Sequence, residues 1–355
     1  MNIVTIVGAR PQFIKAAMVS RSFALKDQIV EKIIHTGQHF DRNMSDIFFT
    51  EMAIPLPHYN LDINGLTHGA MTGQMIEKIE SILIKEQPQL VLVYGDTNST
   101  LAGAIAAKKL HIKIAHIEAG LRSFNNDMPE EINRILTDRI SDILFCPTEV
   151  AVRNLENEGF NKLKPKIILS GDIMLDAARF YTNKAKKPLF PVSKEFVLCT
   201  VHREDNTEDI KKLRNVMEAI DDIAKNINVI MPIHPRTKKK LDSINFNFDN
   251  SDICFVSPVG YLEMVYLLKN CELVMTDSGG LQKEAYFFSK NCVILRDETE
   301  WTELVDNDCN FLAGNNPKNI MNCFNKALMY NSTFKEGLYG DGTTAEIITN
   351  ELLLN

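Results

Sequence analysis

Several chemistries are excluded by what the chain lacks. No Gly-x-Gly-x-x-Gly follows any apolar run, so a tightly held dinucleotide is not expected. No Gly-x-Ser-x-Gly elbow or cysteine–histidine pair suggests acyl chemistry. No run approaches the roughly 18 apolar residues of a membrane span, and Met1 to Gly8 reads as a strand, not a signal peptide. A basic excess is also missing: Lys+Arg number 39 against 46 Asp+Glu, a net charge of −7, which argues against a nucleic-acid surface. The seven cysteines (Cys146, Cys199, Cys254, Cys271, Cys292, Cys309, Cys323) stand far apart with no Cys-x-x-Cys pair. Buried free thiols in a reducing compartment are therefore expected over a disulfide or metal framework. These absences together describe a cytoplasmic protein with no cofactor, no metal, no membrane and no nucleic-acid partner.

What is present is a regular alternation. The chain has 355 residues, 45% apolar and 24% charged, an ordinary soluble composition at a length that favours two domains. Short apolar or β-branched runs alternate with longer amphipathic stretches, the pattern of parallel strands crossed by helices. Expected strands in the first half are Ile3–Val7, Ile29–His35, Leu90–Tyr94, Ile112–Ile117, Ile143–Cys146 and Ile167–Ser170. In the second half they are Phe196–Thr200, Val229–Ile233, Ile253–Val256, Leu273–Met275 and Cys292–Leu295. The fold class is thus α/β, with two doubly wound units in series: 1–170, 171–338 and a closing helix over 339–355 that could pack on either half. Ligands of such sheets bind beyond the carboxyl ends of the strands, so the expected site is the cleft where the two sets of strand ends face each other.

Thr276-Asp277-Ser278-Gly279-Gly280-Leu281-Gln282-Lys283-Glu284-Ala285 is the most informative stretch. It reads as a strand end, a glycine turn and a helix opening on free N–H groups, which can close on a phosphate with help from the helix dipole. A nucleoside triphosphate loop would end in Gly-Lys-Ser/Thr; here the lysine is missing, so the ligand is a phosphate ester or diphosphate. Taken alone, the turn reads equally well as an ordinary serine-capped helix start.

The other strand ends carry polar groups as well. Gly8-Ala9-Arg10-Pro11, with Lys15 one turn later, offers cations to phosphate, or a structural ion pair. Gly95-Asp96-Thr97 places Asp96 at a strand tip, where it serves as a functional carboxylate or as a cap. His116-Ile117-Glu118 ends another strand and leads to Arg122; Pro129-Glu130-Glu131 opens a helix, a sequence equally suited to capping. Carboxylates converging on one site raise each other's pKa, which fits them for acid/base work. His202-Arg203 and His234-Pro235-Arg236 suit an anion; their spacing is poor for zinc. Tyr261 provides an aromatic wall for a base or belongs to the core. Glu284 is placed to accept ribose hydroxyls, and Arg296 to face phosphate.

Taken together, Gly8-Ala9-Arg10-Pro11, Gly95-Asp96-Thr97, His116-Ile117-Glu118-Ala119-Gly120-Leu121-Arg122, Pro129-Glu130-Glu131-x-Asn133-Arg134, His202-Arg203-Glu204, His234-Pro235 and the Thr276–Ala285 stretch resemble the non-hydrolysing UDP-N-acetylglucosamine 2-epimerases, in order and over nearly the whole chain. The resemblance implies two Rossmann-like domains in the glycosyltransferase-B arrangement, a homodimer, and a role in surface-polysaccharide synthesis. It implies that a UDP-sugar is epimerised at C2 by eliminating UDP to a 2-acetamidoglucal and adding it back, interconverting UDP-GlcNAc and UDP-ManNAc. By the same resemblance, Asp96, Glu118 and Glu130 are the acid/base groups and His202 lies beside the diphosphate. Arg10, Ser278, Gly279, Gly280, Glu284 and Arg296 would hold UDP.

The chain departs from the family pattern in two places. After Arg296 the family's Asp-x-Thr-Glu-Arg-Pro-Glu becomes Asp297-Glu298-Thr299-Glu300-Trp301-Thr302-Glu303, and Phe40 replaces the arginine usual after Gln38-His39. Both variants look like the branch acting on UDP-2,3-diacetamido-2,3-dideoxyglucuronate, the alternative substrate. A hydrolysing epimerase, a glycosyltransferase and a silent nucleotide-sugar-binding protein are the remaining alternatives on this architecture.

Overall fold

The computed structural model describes residues 1–38 and 54–354. The chain divides into two units, one of 1–177 with 336–355 and one of 178–335, against boundaries expected at 170 and 338. In the first unit the strands are β1 (Asn2–Val7), β2 (Val30–His35), β3 (Tyr59–Asn60), β4 (Leu90–Tyr94), β5 (Lys113–Ile117), β6 (Ile143–Cys146) and β7 (Lys166–Leu169). They form one parallel sheet in the order β3-β2-β1-β4-β5-β6-β7. The second unit has β8 (Phe196–Thr200), β9 (Asn228–Pro232), β10 (Cys254–Val256), β11 (Leu273–Thr276), β12 (Cys292–Ile294) and β13 (Asn310–Leu312), in the order β10-β9-β8-β11-β12-β13. In each sheet the winding reverses between two central strands, β1 and β4 in one and β8 and β11 in the other. Loops leaving those strands part in opposite directions, which opens the crevice where doubly wound sheets take ligands.

The central strands are buried on both faces, as a parallel sheet covered by helices requires; every residue of β4 and β8 is buried. Helix Asn98–Lys109 is buried from Asn98 through Ala107 apart from Ile105. Its Ala102, Gly103, Ala104, Ala106 and Ala107 let it press on the sheet. A Cβ on Gly103 would sit 2.5 Å from Ile6 Cδ1, so any larger residue would force the Ile6 side chain to shift.

The edge strands β3 and β13 are additions to the expected set. With two and three residues, they are too short to show periodicity. Ile29 lies outside β2 because its N–H turns back to Lys26 O (3.0 Å). Among the cysteines, Cys254 is exposed rather than buried, since β10 is an edge strand. Burial pushes the Cys199 and Cys292 thiols well above their usual range, which makes them inert packing groups.

Helix Thr344–Leu353 belongs to the first unit and packs on helix Arg10–Phe23, with Thr349 Oγ1 bonded to Ser22 Oγ (2.6 Å). Its first N–H groups donate to the buried Asp176, from Thr344 at 3.2 Å and Ala345 at 2.8 Å. Among the described residues no helix is long and apolar enough to cross a membrane.

Candidate active site

At the β1–β4 crevice the turn after β1 is held by Gln12. Its Oε1 accepts the N–H groups of Gly8 (2.8 Å) and Ala9 (3.0 Å), while Nε2 donates to Tyr94 O (2.7 Å), Thr97 Oγ1 (3.0 Å) and Thr100 Oγ1 (2.9 Å). Gly8 is required there, because a Cβ would lie 2.1 Å from both Ser99 Oγ and Thr36 Oγ1. Lys15 and Glu118, both largely buried, form an ion pair. The pair sits over Gly95, whose φ is +61° and whose hypothetical Cβ lies 3.3 Å from Glu118 Oε2 and 3.4 Å from Lys15 Nζ. Glu118 itself has φ +72°, an uncommon conformation for a residue with a side chain. It is stabilised by the N–H groups of Glu118 and Ala119, which both donate to Phe145 O (3.1 and 3.0 Å). Asp96, one strand tip away, pairs with Arg134, and its carbonyl accepts from Asn133 Nδ2 (2.9 Å).

Glu130 and Glu131 have different fates. Glu131 is fully buried, accepting the N–H groups of Ser123 and Phe124 and pairing with Arg134 Nη1 at 2.9 Å. Glu130 is half-buried and makes no hydrogen bond or ion pair among the described residues, so its carboxylate is the one available. The like-charge cluster expected from sequence is not the arrangement found. Asp96 and Glu118 each face a cation, and Glu131 is consumed by the backbone.

Arg122 also differs from expectation. Its guanidinium is buried with four of its five N–H groups engaged: Nε and Nη2 form a bidentate pair with Glu158 (2.6 and 2.9 Å), and Nη1 reaches Asp138 Oδ2 (2.8 Å) and Leu121 O (2.6 Å). Buried and paired inside its own unit, Arg122 braces the loop from within. Arg10 begins its helix, but its side chain lies outside the described residues, as do His39 and Phe40.

The β8–β11 crevice of the second unit is organised by Asp277, a fully buried carboxylate that sequence reasoning did not single out. It accepts from His202 N (3.0 Å), Arg203 N (3.0 Å) and Asn206 Nδ2 (3.1 Å), and thereby sets the loop after β8. His202 Nδ1 lies 3.6 Å from Asp277 Oδ1, and the His202 and His234 rings are 5.7 Å apart, centroid to centroid. His234 is exposed, its Nδ1 capping the next helix through Arg236 N (3.2 Å). The Arg203 guanidinium is half-buried and forms no ion pair among the described residues.

Ser278 caps helix Gly279–Phe287, its Oγ accepting Leu281 N–H at 3.4 Å. The N–H groups of Gly279 and Gly280 head the helix, where no intrahelical carbonyl can reach them. Gly280 is exposed, with nothing within 4 Å of its hypothetical Cβ, whereas a Cβ on Gly279 would lie 2.1 Å from Glu300 Oε1. Glu300 pairs with buried Arg296 through Nη1 (3.0 Å), while Arg296 Nη2 and Gln282 Nε2 are buried donors without partners among the described residues. Glu284 is buried one turn into the helix. Tyr261 is a core residue, edge-on to Tyr181 at 5.5 Å. Burial, and then Glu284, hold its hydroxyl well above the usual range, so it supports Glu284 and offers no open wall.

Among the described residues no cluster of three His, Cys, Asp or Glu could hold a metal ion. The arrangement therefore offers two things. One unit carries carboxylates mounted beside cations; the other carries a helix N-terminus flanked by arginine and histidine.

Residues 23–353 match the family model described as UDP-N-acetylglucosamine 2-epimerase. The chain is 51% identical over 354 residues to the UDP-2,3-diacetamido-2,3-dideoxy-D-glucuronate 2-epimerase of Pseudomonas aeruginosa, covering 99% of each chain. It is 45% identical over 358 residues to the UDP-N-acetylglucosamine 2-epimerase of Methanococcus maripaludis, covering 97% of this chain and 96% of that one. The solved structure of the Methanocaldococcus jannaschii UDP-GlcNAc 2-epimerase, in complex with UDP-GlcNAc and UDP, is similar over 100% of both chains with a TM-score of 0.90 and 41% identity.

Proposed function

Because the chain belongs to the UDP-N-acetylglucosamine 2-epimerase family and is an isomerase of UDP-sugars, we propose that it inverts C2 of UDP-2,3-diacetamido-2,3-dideoxyglucuronate. The observation that carries this substrate is the 51% identity over 99% of both chains to the Pseudomonas enzyme. The departures at Trp301 and Thr302 point the same way. UDP-GlcNAc is the second reading, favoured by the 45% identity to the Methanococcus enzyme.

The chemistry follows from the substrate. C2–H of such a sugar has no neighbouring carbonyl to stabilise a carbanion, so proton removal alone is slow. Breaking C1–O first sends the electron pair out on UDP and leaves a cation-like C1, which acidifies C2–H; its loss forms the C1=C2 bond of a glycal. Protonation of C2 from the opposite face and return of UDP to C1 complete the inversion with no net gain or loss of atoms. The free N–H groups of Gly279 and Gly280, with Ser278, His202, Arg203, Arg10 and Arg296, stabilise the departing diphosphate. Glu284 takes the ribose. Asp96, Glu118 and Glu130 provide the proton acceptor and donor, with Lys15 favouring the ionised form of Glu118. His234 backs His202, and neither Arg122 nor Tyr261 touches substrate in this scheme.

On the family resemblance the enzyme works as a cytoplasmic homodimer and serves a surface polysaccharide; a monomer by analytical ultracentrifugation would remove the first of these. The substrate is tested by incubating each UDP-sugar in D2O. Deuterium at C2 of recovered uronate, with slower or no exchange into UDP-GlcNAc, is expected. Exchange into UDP-GlcNAc alone selects the second reading, and exchange into neither overturns the mechanism.

A further inference from the structure

The fully buried His116 on β5 belongs to no ligand contact in this scheme, yet it joins the two strand tips that carry Asp96 and Glu118. Its Nε2 lies 2.7 Å from Gly95 O, and its Nδ1 lies 2.7 Å from Asp138 Oδ1. The Gly95 carbonyl can only accept, so Nε2 carries a hydrogen. Asp138 is also an acceptor. Burial pushes its carboxyl up, but His116 and Arg122 outweigh that and hold it below its ordinary range. Its Oδ2 already accepts Gly120 N–H (3.1 Å) and Arg122 Nη1 (2.8 Å). Nδ1 must then carry a hydrogen too.

A ring with both nitrogens protonated is an imidazolium. The buried charges balance in sequence: His116 against Asp138, and Arg122 against Asp138 and Glu158. That compensation is what permits charge in such a place.

We propose that His116 is a positioning residue whose two ring nitrogens both donate, fixing the backbone on which both acid/base carboxylates are mounted. The Gly95 peptide unit is held at both ends by β5, its N–H donating to Ile117 O (2.9 Å) and its carbonyl accepting from the His116 ring. The same imidazolium orients Asp138, whose other oxygen holds Gly120 and so the left-handed turn that begins at Glu118. Asp96 follows Gly95 directly, and the Lys15–Glu118 pair lies over it. Losing the ring charge loosens both mounts without touching the diphosphate loop. The role assigned to Asp96 and Glu118 rests on the proposed function; the charge state does not.

The test has two arms. Long-range 1H–15N spectra of the unmodified chain, with the His116 ring assigned by through-bond correlation to its own backbone, are expected to show two ring N–H groups. A single ring N–H overturns the proposal even if no variant folds. Kinetically, His116→Phe and His116→Gln are expected to lower kcat by roughly 10- to 100-fold, the scale of misplaced catalytic groups, while KM and UDP affinity change by less than about 3-fold. An undiminished kcat, or a loss confined to KM, refutes the positioning role. Asp96→Asn run alongside separates the two ideas, since full turnover there removes the acid/base reading and leaves untouched the charge state that the spectra measure.

Discussion

Replacing Gly280 by alanine should move stability and ligand affinity in opposite directions. Gly280 is the second residue of helix Gly279–Phe287, exposed, with nothing within 4 Å of where its Cβ would stand. Its backbone does not use the left-handed region, so alanine fits without strain and should gain about 0.5 kcal/mol from reduced unfolded-state freedom and better helix propensity. The empty space has a use if a diphosphate closes on the N–H groups there, because a methyl group would then stand where a phosphate oxygen must approach. A hydrogen bond to a charged group contributes about 1.5–3 kcal/mol, so UDP affinity should fall by roughly 10- to 100-fold. Isothermal titration with UDP and a denaturation curve on the same sample read both quantities. Gly279→Ala is the contrast: its Cβ would strike Glu300 Oε1 at 2.1 Å, costing about 1–3 kcal/mol as well as affinity. A Gly280→Ala chain that gains stability and still binds UDP as the parent does would refute the phosphate-loop assignment.

Asp277→Asn replaces one acceptor oxygen by a donor facing Arg203 N–H and Asn206 Nδ2. At about 1.5–3 kcal/mol per charge-assisted bond, hydrogen exchange at the His202 and Arg203 amides should accelerate by about 10- to 100-fold, and unchanged exchange would contradict the brace assigned to Asp277. The Asp176 carboxyl is pushed up from 3.8 to about 6, mainly by burial and further by Asp172, against the Thr344 and Ala345 N–H bonds. A raised folded-state value means its stabilising contribution is complete below about pH 4 and lost as pH rises through about 6. The stability of Asp176→Asn relative to the parent should therefore improve by about 2 kcal/mol between about pH 4 and about pH 8. A pH-independent difference in unfolding free energy would contradict this.

Much of the fold was legible because its determinants are local. The apolar runs Leu90–Tyr94 and Phe196–Thr200 are buried on both faces and could be nothing but central strands, while β3 and β13 are too short to leave a period. The placement of polar groups at strand ends was legible, as at Asp96, Glu118 and Ser278-Gly279-Gly280. It was misleading where a charge looked available. Arg122 follows a strand tip in an anion-binding pattern, but Asp138 and Glu158 occupy its donors. Glu130 and Glu131 are chemically alike and adjacent, and a helix turns about 100° between them, so only packing determines which one is consumed.

The sequence by itself determined the alternation of strands and helices, the glycine turn and the carboxylate-tipped strands, because each depends on residues within a turn or a strand of one another. The tertiary structure alone decided who pairs with whom. Asp277 and His202 are 75 residues apart and meet only because β8 and β11 are neighbours in the sheet. His116 meets the Gly95 carbonyl across 21 residues, because β4 and β5 place their tips side by side. A carboxylate or an imidazole in a sequence carries a capacity for hydrogen bonds; which partners fill that capacity is set by strand order, and with it whether the group faces substrate or holds another group in place.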